Sequence, residues 1–214
     1  MSTTIADIRK EYMLQTLSEK DILQDPFGQF SKWWQEAINA GIDEVNAMTV
    51  ATASADGLPD ARILLLKGFD EKGFVFYTNY NSTKGQQLLE NPRATLVFFW
   101  KELERQVRIS GLVSLAPGKM SDDYFNSRPE SSRIGAWASP QSEPIESRDW
   151  LEEKENGVRQ EWTGKTIPRP AHWGGYVVKP VKMEFWQGRP SRLHDRIQYS
   201  LETTGTWKIE RLAP

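Results

Sequence analysis

The chain contains no cysteine, and only two of its 214 residues, His172 and His194, are histidines. Without thiols there is no disulfide, no thiolate metal ligand and no cysteine nucleophile. Two histidines cannot form a three-histidine metal centre. We therefore expect no metal site.

The chain also lacks a long apolar run and an excess of basic residues. Its formal net charge is −2 at pH 7, so no global positive field attracts nucleic acid, and any anion site must be local. No apolar stretch approaches the length of a membrane span. Charged residues such as Asp7 and Arg9 occupy the region where a signal peptide would be apolar. We expect a cytoplasmic protein without nucleic-acid or membrane partners.

The aromatic content is high, with nine Trp and nine Phe among 214 residues, which suffices for one well-buried domain. Residues 1–24 are polar and charged, and they predict an arm with a short helix. Residues 25–214 predict a single domain.

Apolar residues repeat with the period of strands through most of the chain after Ala47. Turn signals at Ser54–Gly57 and Asp70–Gly73 join the first three predicted strands into two consecutive antiparallel hairpins. The predicted strands are Ala47–Ala53, Ala61–Lys67, Phe74–Thr78, Ala94–Trp100, Arg105–Leu115, Gly174–Val178, Val181–Trp186, Arg192–Ser200 and Trp207–Leu212.

Helical spacing and capping signals interrupt these strands at four places. The first predicted helix starts at Asp25-Pro26 and ends at Gly41. The other three span Ser82–Glu90, Pro117–Ser127 and Glu146–Trp162. No GxGxxG or P-loop pattern is present, which disfavours a dinucleotide-binding or NTPase fold. The pattern predicts a mainly β protein with helices (α+β), an antiparallel β-barrel decorated by peripheral helices.

The stretch from Glu184 to Arg196 concentrates charge and aromaticity, with three arginines, His194 and Trp186. Guanidinium groups match phosphate or carboxylate oxygens in pairs and stack on flat rings. A turn at Gln187-Gly188 with Pro190, followed by an alternating strand from Arg192, would place Arg192, His194 and Arg196 on one face. The alternative is a solvated strand face whose charges pair with Asp195 and Glu184.

Three further places favour anion binding. Arg62 and Lys67 flank four aliphatic residues and point to opposite faces of a regular strand, which favours two separate anions unless a bulge intervenes. Lys84 lies at a helix N-terminus after Ser82 and Thr83, where free N–H groups favour phosphate, although a capping serine with a surface lysine is the commoner arrangement. The third place is a set of three side chains, two on one helix face and one in the following turn, which would share one anion: Tyr124, Arg128 and Ser132. The alternative is that the dipole at the C-terminus of the helix attracts the arginine.

Amide side chains at Gln106 and Gln141, the latter followed by Ser142, suit the polar edge of a flat heterocycle. Two phosphate sites, these amides and an arginine–aromatic cluster together indicate a phosphorylated aromatic cofactor with a phosphorylated substrate.

Several motifs occur in an order that resembles one family: Arg62–Lys67 (RILLLK), Phe76–Asn79 (FYTN), Glu104–Val107 (ERQV), Phe125–Pro129 (FNSRP), Ile134–Trp137 (IGAW), Gln141-Ser142, Trp173–Gly175 (WGG), Glu184–Arg196 (EFWQGRPSRLHDR) and Arg211–Pro214 (RLAP). The chain resembles the FMN-dependent pyridoxine/pyridoxamine 5′-phosphate oxidase family from about Arg9 to Pro214. No single motif is specific, but the ordered set is.

The resemblance implies an FMN-binding split β-barrel and a homodimer with FMN at the subunit interface. It assigns substrate and catalytic contacts to Arg192 and His194, and a lid to Arg9–Tyr12. Thr83 departs from the family pattern, because an arginine is usual there beside Lys84. The implied FMN contacts are Arg62, Ile63, Leu64, Leu65, Leu66, Lys67, Tyr77, Thr78, Lys84, Gln106, Gln141, Ser142, Trp186 and Arg196. The implied substrate contacts are Arg9, Tyr12, Lys67, Tyr124, Arg128, Ser132, Arg192 and His194.

The implied reaction is oxidation of pyridoxine 5′-phosphate or pyridoxamine 5′-phosphate to pyridoxal 5′-phosphate, with hydride transfer to FMN and reoxidation by O2 to give H2O2. Two alternatives keep the fold: an FMN-dependent flavin reductase that uses a nicotinamide, and a non-catalytic protein that binds FMN or pyridoxal phosphate. The predicted substrate-phosphate set argues against the reductase.

Overall fold

The computed structural model describes Ile5 and residues 11–214. Three of its helices begin at a residue whose side chain caps the first turn. The carboxylate of Asp25 accepts the N–H of Gly28 and caps α1 (Pro26–Asn39), whose buried face carries Phe30, Trp33 and Ala37. Ser82 caps α2 in the same way. The other helices are α2 (Thr83–Glu90), α3 (Gly118–Ser127), α4 (Glu130–Ala138) and α5 (Arg148–Glu161).

Nine strands in the described residues form one sheet with the order β2-β1-β5-β6-β7-β4-β3, while β8 pairs with β7 and β9 pairs with β8. The ladders β3–β4, β4–β7, β7–β8 and β8–β9 are antiparallel, as the hairpin signals predicted. The strands are β1 (Ala47–Ala53), β2 (Pro59–Leu65), β3 (Gly68–Asp70), β4 (Gly73–Asn79), β5 (Arg93–Trp100), β6 (Arg105–Leu115), β7 (Trp173–Gln187), β8 (Asp195–Leu201) and β9 (Trp207–Arg211).

The second predicted hairpin, which pairs Ala61–Lys67 with Phe74–Thr78, is wrong because β4 does not pair with β2. The turn at Asp70–Gly73 forms as expected, but it joins β4 to the short β3, with Gly68 opposite Val75. On its other side β4 pairs with β7, from Phe74 opposite Val178 to Asn79 opposite Trp173. The sequence shows the turn because it is local, whereas the pairing with β7 joins residues about a hundred positions apart.

The two strands predicted at Gly174–Val178 and Val181–Trp186 are one strand, β7. Pro180 suggested a break because it lacks the N–H of a sheet ladder. In β7 it lies between the residues that pair with β4 and those that pair with β8, so neither ladder needs its N–H.

The strand predicted at Arg192–Ser200 begins only at Asp195. A 3-10 turn spans Pro190–Arg192, and both Ser191 (φ 57°) and Arg192 (φ 62°) have left-handed backbone. The prediction that Arg192, His194 and Arg196 share one strand face is therefore wrong, because only Arg196 lies in the strand. The alternation of residue types from Arg192 to Arg196 was misleading because its first residue belongs to a turn and not to the strand.

The turn predicted around Ser132 is also wrong, because α4 begins at Glu130, directly after Pro129. Proline ends α3 and, with φ fixed near the helical value, also favours the start of the next helix. Arg128 has extended backbone at the C-cap of α3, so it does not share a helical face with Tyr124.

The chain divides into two compact units. Unit 1 contains the described residues up to Thr49 together with Thr95–Gly111 and Pro180–Pro214, and its core includes Trp33 packed edge-on against Phe185. Unit 2 contains Val50–Ala94 and Leu112–Lys179, with a core around Phe125 and Trp173. None of the helices in the described residues is long and apolar enough to cross a membrane.

Candidate active site

In unit 2 a buried lysine lies among neutral acceptors. Lys84, in the first turn of α2, directs its Nζ to the Oγ1 of Thr78 (3.3 Å), the Oγ of Ser82 (3.1 Å) and the Oε1 of Gln141 (3.1 Å). The Oγ1 of Thr78 also donates to the Oε1 of Gln141 at 3.0 Å. The structure thus brings three of the predicted cofactor residues together.

The pKa of Lys84 is lowered to about 8, chiefly because burial disfavours the charged ammonium and secondly because of the positive charge of Arg62. Asp60 acts in the opposite direction but forms its ion pair with Arg62. Arg62 also donates to the Oγ1 of Thr52 at 2.6 Å. Among the described residues no carboxylate pairs with Lys84, so this site would favour an added anion.

A groove of about 370 Å³ borders the start of α2 and is lined by Thr83 and Ser142, among others. Thr83 is exposed at the first position of the helix, and Ser142 has left-handed backbone (φ 75°). Of the aliphatic residues assigned to the cofactor, Leu66 is buried and Ile63 is 64% exposed, while Leu64 and Leu65 are half-buried.

A second group in unit 2 is a stack of three parallel rings. Tyr77 on β4 stacks on Tyr124 of α3 with ring centroids 4.0 Å apart, and on Trp173 of β7 at 5.5 Å. Gly175 makes this possible, because a Cβ there would lie 2.8 Å from the Cε1 of Tyr77. Trp173 was not predicted as a site residue, and the WGG motif that contains it was the available signal.

Two cations flank the ring stack. The guanidinium of Arg128 lies 4.6 Å from the Trp173 ring, and the Nζ of Lys67 lies 5.9 Å from the Tyr124 ring. The Nη1 of Arg128 is buried without a hydrogen-bond partner in the described structure. Burial lowers the pKa of Arg128 from its usual value. Ser132 is half-buried in the first turn of α4.

Lys67 and Arg62 therefore belong to different groups, with Lys67 beside the ring stack and Arg62 beside Thr52. Lys67 lies just beyond the end of β2. This arrangement agrees with the interpretation of two separate anions rather than one.

In unit 1 the imidazole of His194 lies against Trp186, with ring centroids 4.5 Å apart, and Tyr12 meets Trp186 edge-on at 5.8 Å. The Nδ1 of His194 accepts the backbone N–H of Arg189 at 3.1 Å, so the proton of the neutral ring is on Nε2. Burial and the positive charge of Arg192 lower the pKa of His194, against the opposing effect of Asp195.

A second group in unit 1 surrounds Glu184, which is only 4% exposed on β7. Its carboxylate accepts Nε and Nη2 of Arg196 at 2.9 and 3.3 Å and also pairs with Arg108. Burial alone would raise the pKa of Glu184, but the hydrogen bonds from Arg196 and Arg108 outweigh it and lower the pKa. These three residues line a cleft of about 340 Å³.

Sequence reasoning treated Glu184 only as a possible ion-pair partner, and that alternative is correct for Arg196. Gln106 is half-buried on β6, two positions from Arg108 and therefore on the same face. Arg192 is exposed and makes no hydrogen bond or ion pair with the rest of the described chain. Arg9 lies outside the described residues.

A family model described as pyridoxamine 5′-phosphate oxidase matches residues 34–160, and one described as the pyridoxine 5′-phosphate oxidase C-terminal dimerisation region matches residues 173–214. The chain is 56% identical over 214 residues to a pyridoxine/pyridoxamine 5′-phosphate oxidase of Trichormus variabilis, with 100% of both chains covered. It is 55% identical over 212 residues to one of Cupriavidus pinatubonensis, covering 99% of this chain and 100% of the relative.

Among solved structures, PhzG from Burkholderia lata in complex with tetrahydrophenazine-1-carboxylic acid has a TM-score of 0.88 and 28% identity, covering 94% of this chain and 99% of PhzG. A pyridoxamine 5′-phosphate oxidase-related, FMN-binding protein from Nostoc punctiforme has a TM-score of 0.70 and 17% identity, covering 90% of this chain and 100% of that chain. The second likeness concerns the fold alone.

These matches confirm the expected class, an FMN-dependent oxidoreductase with a split-barrel fold. The chain belongs to the pyridoxamine 5′-phosphate oxidase family. The match to a dimerisation region supports the expected homodimer.

Proposed function

We propose that this protein oxidises pyridoxine 5′-phosphate and pyridoxamine 5′-phosphate to pyridoxal 5′-phosphate, with FMN as hydride acceptor and O2 as final oxidant. One observation carries the proposal: among the described residues, the ammonium of Lys84 pairs with no carboxylate, and the Nη1 of Arg128 is buried without a hydrogen-bond partner. A phosphorylated cofactor and a phosphorylated substrate need two such places.

The residues around Lys84 fit the phosphate end of FMN. A buried ammonium among hydroxyl and amide oxygens gains a counter-charge when a phosphate binds, and Arg62 adds a second cation nearby. We propose that Gln141 and Ser142, with Gln106, Trp186 and Arg196 of unit 1, complete the FMN site at the interface of a homodimer. FMN supplies the hydride acceptor when bound.

The ring stack and its two cations fit the phosphate end of the substrate. The unpartnered Nη1 of Arg128 would donate to a phosphate oxygen, which removes the cost of a buried donor without an acceptor. Lys67 supplies a second positive charge at the other end of the stack. The hydroxyls of Tyr124 and Ser132 are the remaining proposed donors.

Arg192 and His194 are proposed to hold the pyridine ring of the substrate. The Nε2 proton of neutral His194 is available to donate, because Nδ1 is occupied by the N–H of Arg189. Oxidation of pyridoxamine 5′-phosphate would remove a hydride from carbon and a proton from the amino group, and water would convert the resulting imine to the aldehyde and ammonia. The two electrons and two protons would leave with O2 as H2O2.

The phosphate role of Arg128 gives the first test. We expect Arg128→Met to raise KM for pyridoxamine 5′-phosphate by about 10- to 100-fold, since a charge-assisted hydrogen bond contributes roughly 1.5–3 kcal/mol. The dissociation constant of FMN, measured by quenching of its fluorescence, should not change.

The matched control is Arg148→Met, which removes a surface arginine of α5 paired with Glu152. It should leave both constants unaltered. An Arg128→Met variant with normal KM and weakened FMN binding would contradict the assignment of this cation to the substrate.

A further inference from the structure

The segment from Tyr12 to Leu17 crosses unit 1 without forming a helix or strand. Its backbone N–H groups are instead held by carboxylates that lie far away in the sequence. The Oε2 of Glu104 accepts the N–H of Met13 at 2.9 Å and that of Leu14 at 3.2 Å. Asp195 accepts the N–H of Leu17 at 3.1 Å. Side chains therefore replace the ladder that would fix a strand.

Glu104 is suited to this task by its position. It lies between β5 and β6 with left-handed backbone (φ 55°), and only 2% of the residue is exposed. Its own carbonyl accepts the N–H of Gly188 at 2.8 Å and the Nε2 of Gln187 at 3.3 Å. One residue thus connects the N-terminal segment to the turn that precedes His194.

The connection fixes the ring of Tyr12. Its edge meets Trp186, and its centroid lies 6.0 Å from that of His194. Gly188 lies directly beneath, because a Cβ there would come within 2.7 Å of the Cγ of Tyr12. The absence of a side chain at Gly188 therefore leaves room for the Tyr12 ring. Tyr12 directly precedes Met13 and Leu14, whose N–H groups Glu104 accepts.

We propose that Glu104 is a positioning residue: its carboxylate holds the Tyr12–Leu14 backbone so that the Tyr12 ring forms one wall of the substrate site beside His194. The proposal rests on the proposed function, since that gives His194 its place against the substrate. Glu104 touches no reacting atom and acts only through Tyr12.

A carboxylate is needed because one oxygen receives two N–H donors at once. Charge-assisted hydrogen bonds are about twice as strong as neutral ones. In Glu104→Gln the acceptor is neutral, and we expect KM for pyridoxamine 5′-phosphate to rise on the order of tenfold. The kcat should change much less, because Glu104 touches no reacting atom.

A second variant, Glu104→Asn, distinguishes the effect of the left-handed backbone at this position from the effect of the carboxylate. Asparagine tolerates the left-handed conformation, so the turn is retained, but its shorter side chain no longer reaches the amides of Met13 and Leu14. The matched control is Glu102→Gln, an exposed glutamate two residues earlier. It should behave as the unmodified protein.

The experiment uses the FMN-loaded full chain and two readouts. Limited trypsin digestion measures cleavage after the exposed Lys20, and steady-state kinetics measures KM and kcat. We expect both Glu104 variants to be cut several-fold faster and to show the raised KM. Unchanged cleavage in both variants overturns the proposal, and so does faster cleavage with an unchanged KM. If the unmodified protein forms no aldehyde, the proposed function fails, and the cleavage rates alone decide whether Glu104 holds the segment.

Discussion

Lys84 illustrates how burial turns a common residue into an anion receptor. Its ammonium is surrounded by the oxygens of Thr78, Ser82 and Gln141, and its pKa is lowered to about 8 by burial and by Arg62. A phosphate would stabilise the charged form, so binding of phosphate and protonation of Lys84 are coupled.

This coupling predicts that FMN binding weakens as the pH rises through about 8. Below that value Lys84 is already protonated in the free protein, and the dissociation constant is flat. Above it, binding must take up a proton, and the constant rises by up to about tenfold per pH unit. Fluorescence quenching of FMN between about pH 6.5 and 9.5 measures the profile.

The control for this profile is Lys84→Arg, because a guanidinium remains charged over the whole range. Its dissociation constant should stay constant with pH. An equal rise in both proteins would show that another group is responsible, and a flat profile in the unmodified protein would contradict the coupling.

Among individual residues, the sequence identified the polar and charged side chains of the site better than the aromatic ones. Lys84, Thr78 and Gln141 were each assigned to the cofactor, and the structure brings them together. Trp173 was not predicted as a site residue, because its stacking on Tyr77 joins two strands that are far apart in the chain. Side-chain chemistry can be read locally, but stacking depends on which strands pair.

Among the elements, β7 carries two of the aromatic residues described above, Trp173 in unit 2 and Trp186 in unit 1. Gly175 lies opposite Tyr77 in the ladder with β4, and a Cβ there would also come within 2.8 Å of the Cβ of Ala116. The ring stack therefore depends on a glycine in the middle of a strand, where glycine is otherwise unfavourable.

We expect Gly175→Ala to destabilise the protein by about 1–3 kcal/mol, the usual cost of overpacking, because Tyr77 must move off the strand. KM for pyridoxamine 5′-phosphate should rise with it, since Tyr77 supports Tyr124. Thermal unfolding and steady-state kinetics measure the two effects.

Gly157→Ala provides the comparison, because it lies on α5 with open space around it. Alanine in a helix interior is more stable than glycine by roughly 0.5–1 kcal/mol, so this change should raise Tm. A Gly175→Ala protein as stable as Gly157→Ala would mean that the ring stack tolerates a Cβ.

Local signals also explain which elements were predictable. The helix start at Asp25-Pro26, the cap at Ser82 and the turn at Asp70–Gly73 are short-range features, and all three formed as expected. The partner of β4 was not predictable, because strand pairing is decided by residues distant in the sequence. The turn at Pro190–Arg192 was missed since its left-handed residues are serine and arginine rather than glycine.

For the whole molecule, the ordered motifs gave the family, and the matching relatives extend over its entire length. The division into an arm at 1–24 and one domain at 25–214 stays a prediction. So does the placement of FMN at a dimer interface. Single-chain periodicity carries no information about a second copy.

The most direct test of the account is the visible spectrum of the FMN-loaded protein before and after pyridoxamine 5′-phosphate is added without oxygen. We expect the flavin band to bleach and to return when air is admitted, with pyridoxal 5′-phosphate and H2O2 formed. A band that stays unchanged with this substrate, but bleaches with a reduced nicotinamide, would contradict the oxidase and favour a flavin reductase. A band that bleaches with neither would leave only a binding role.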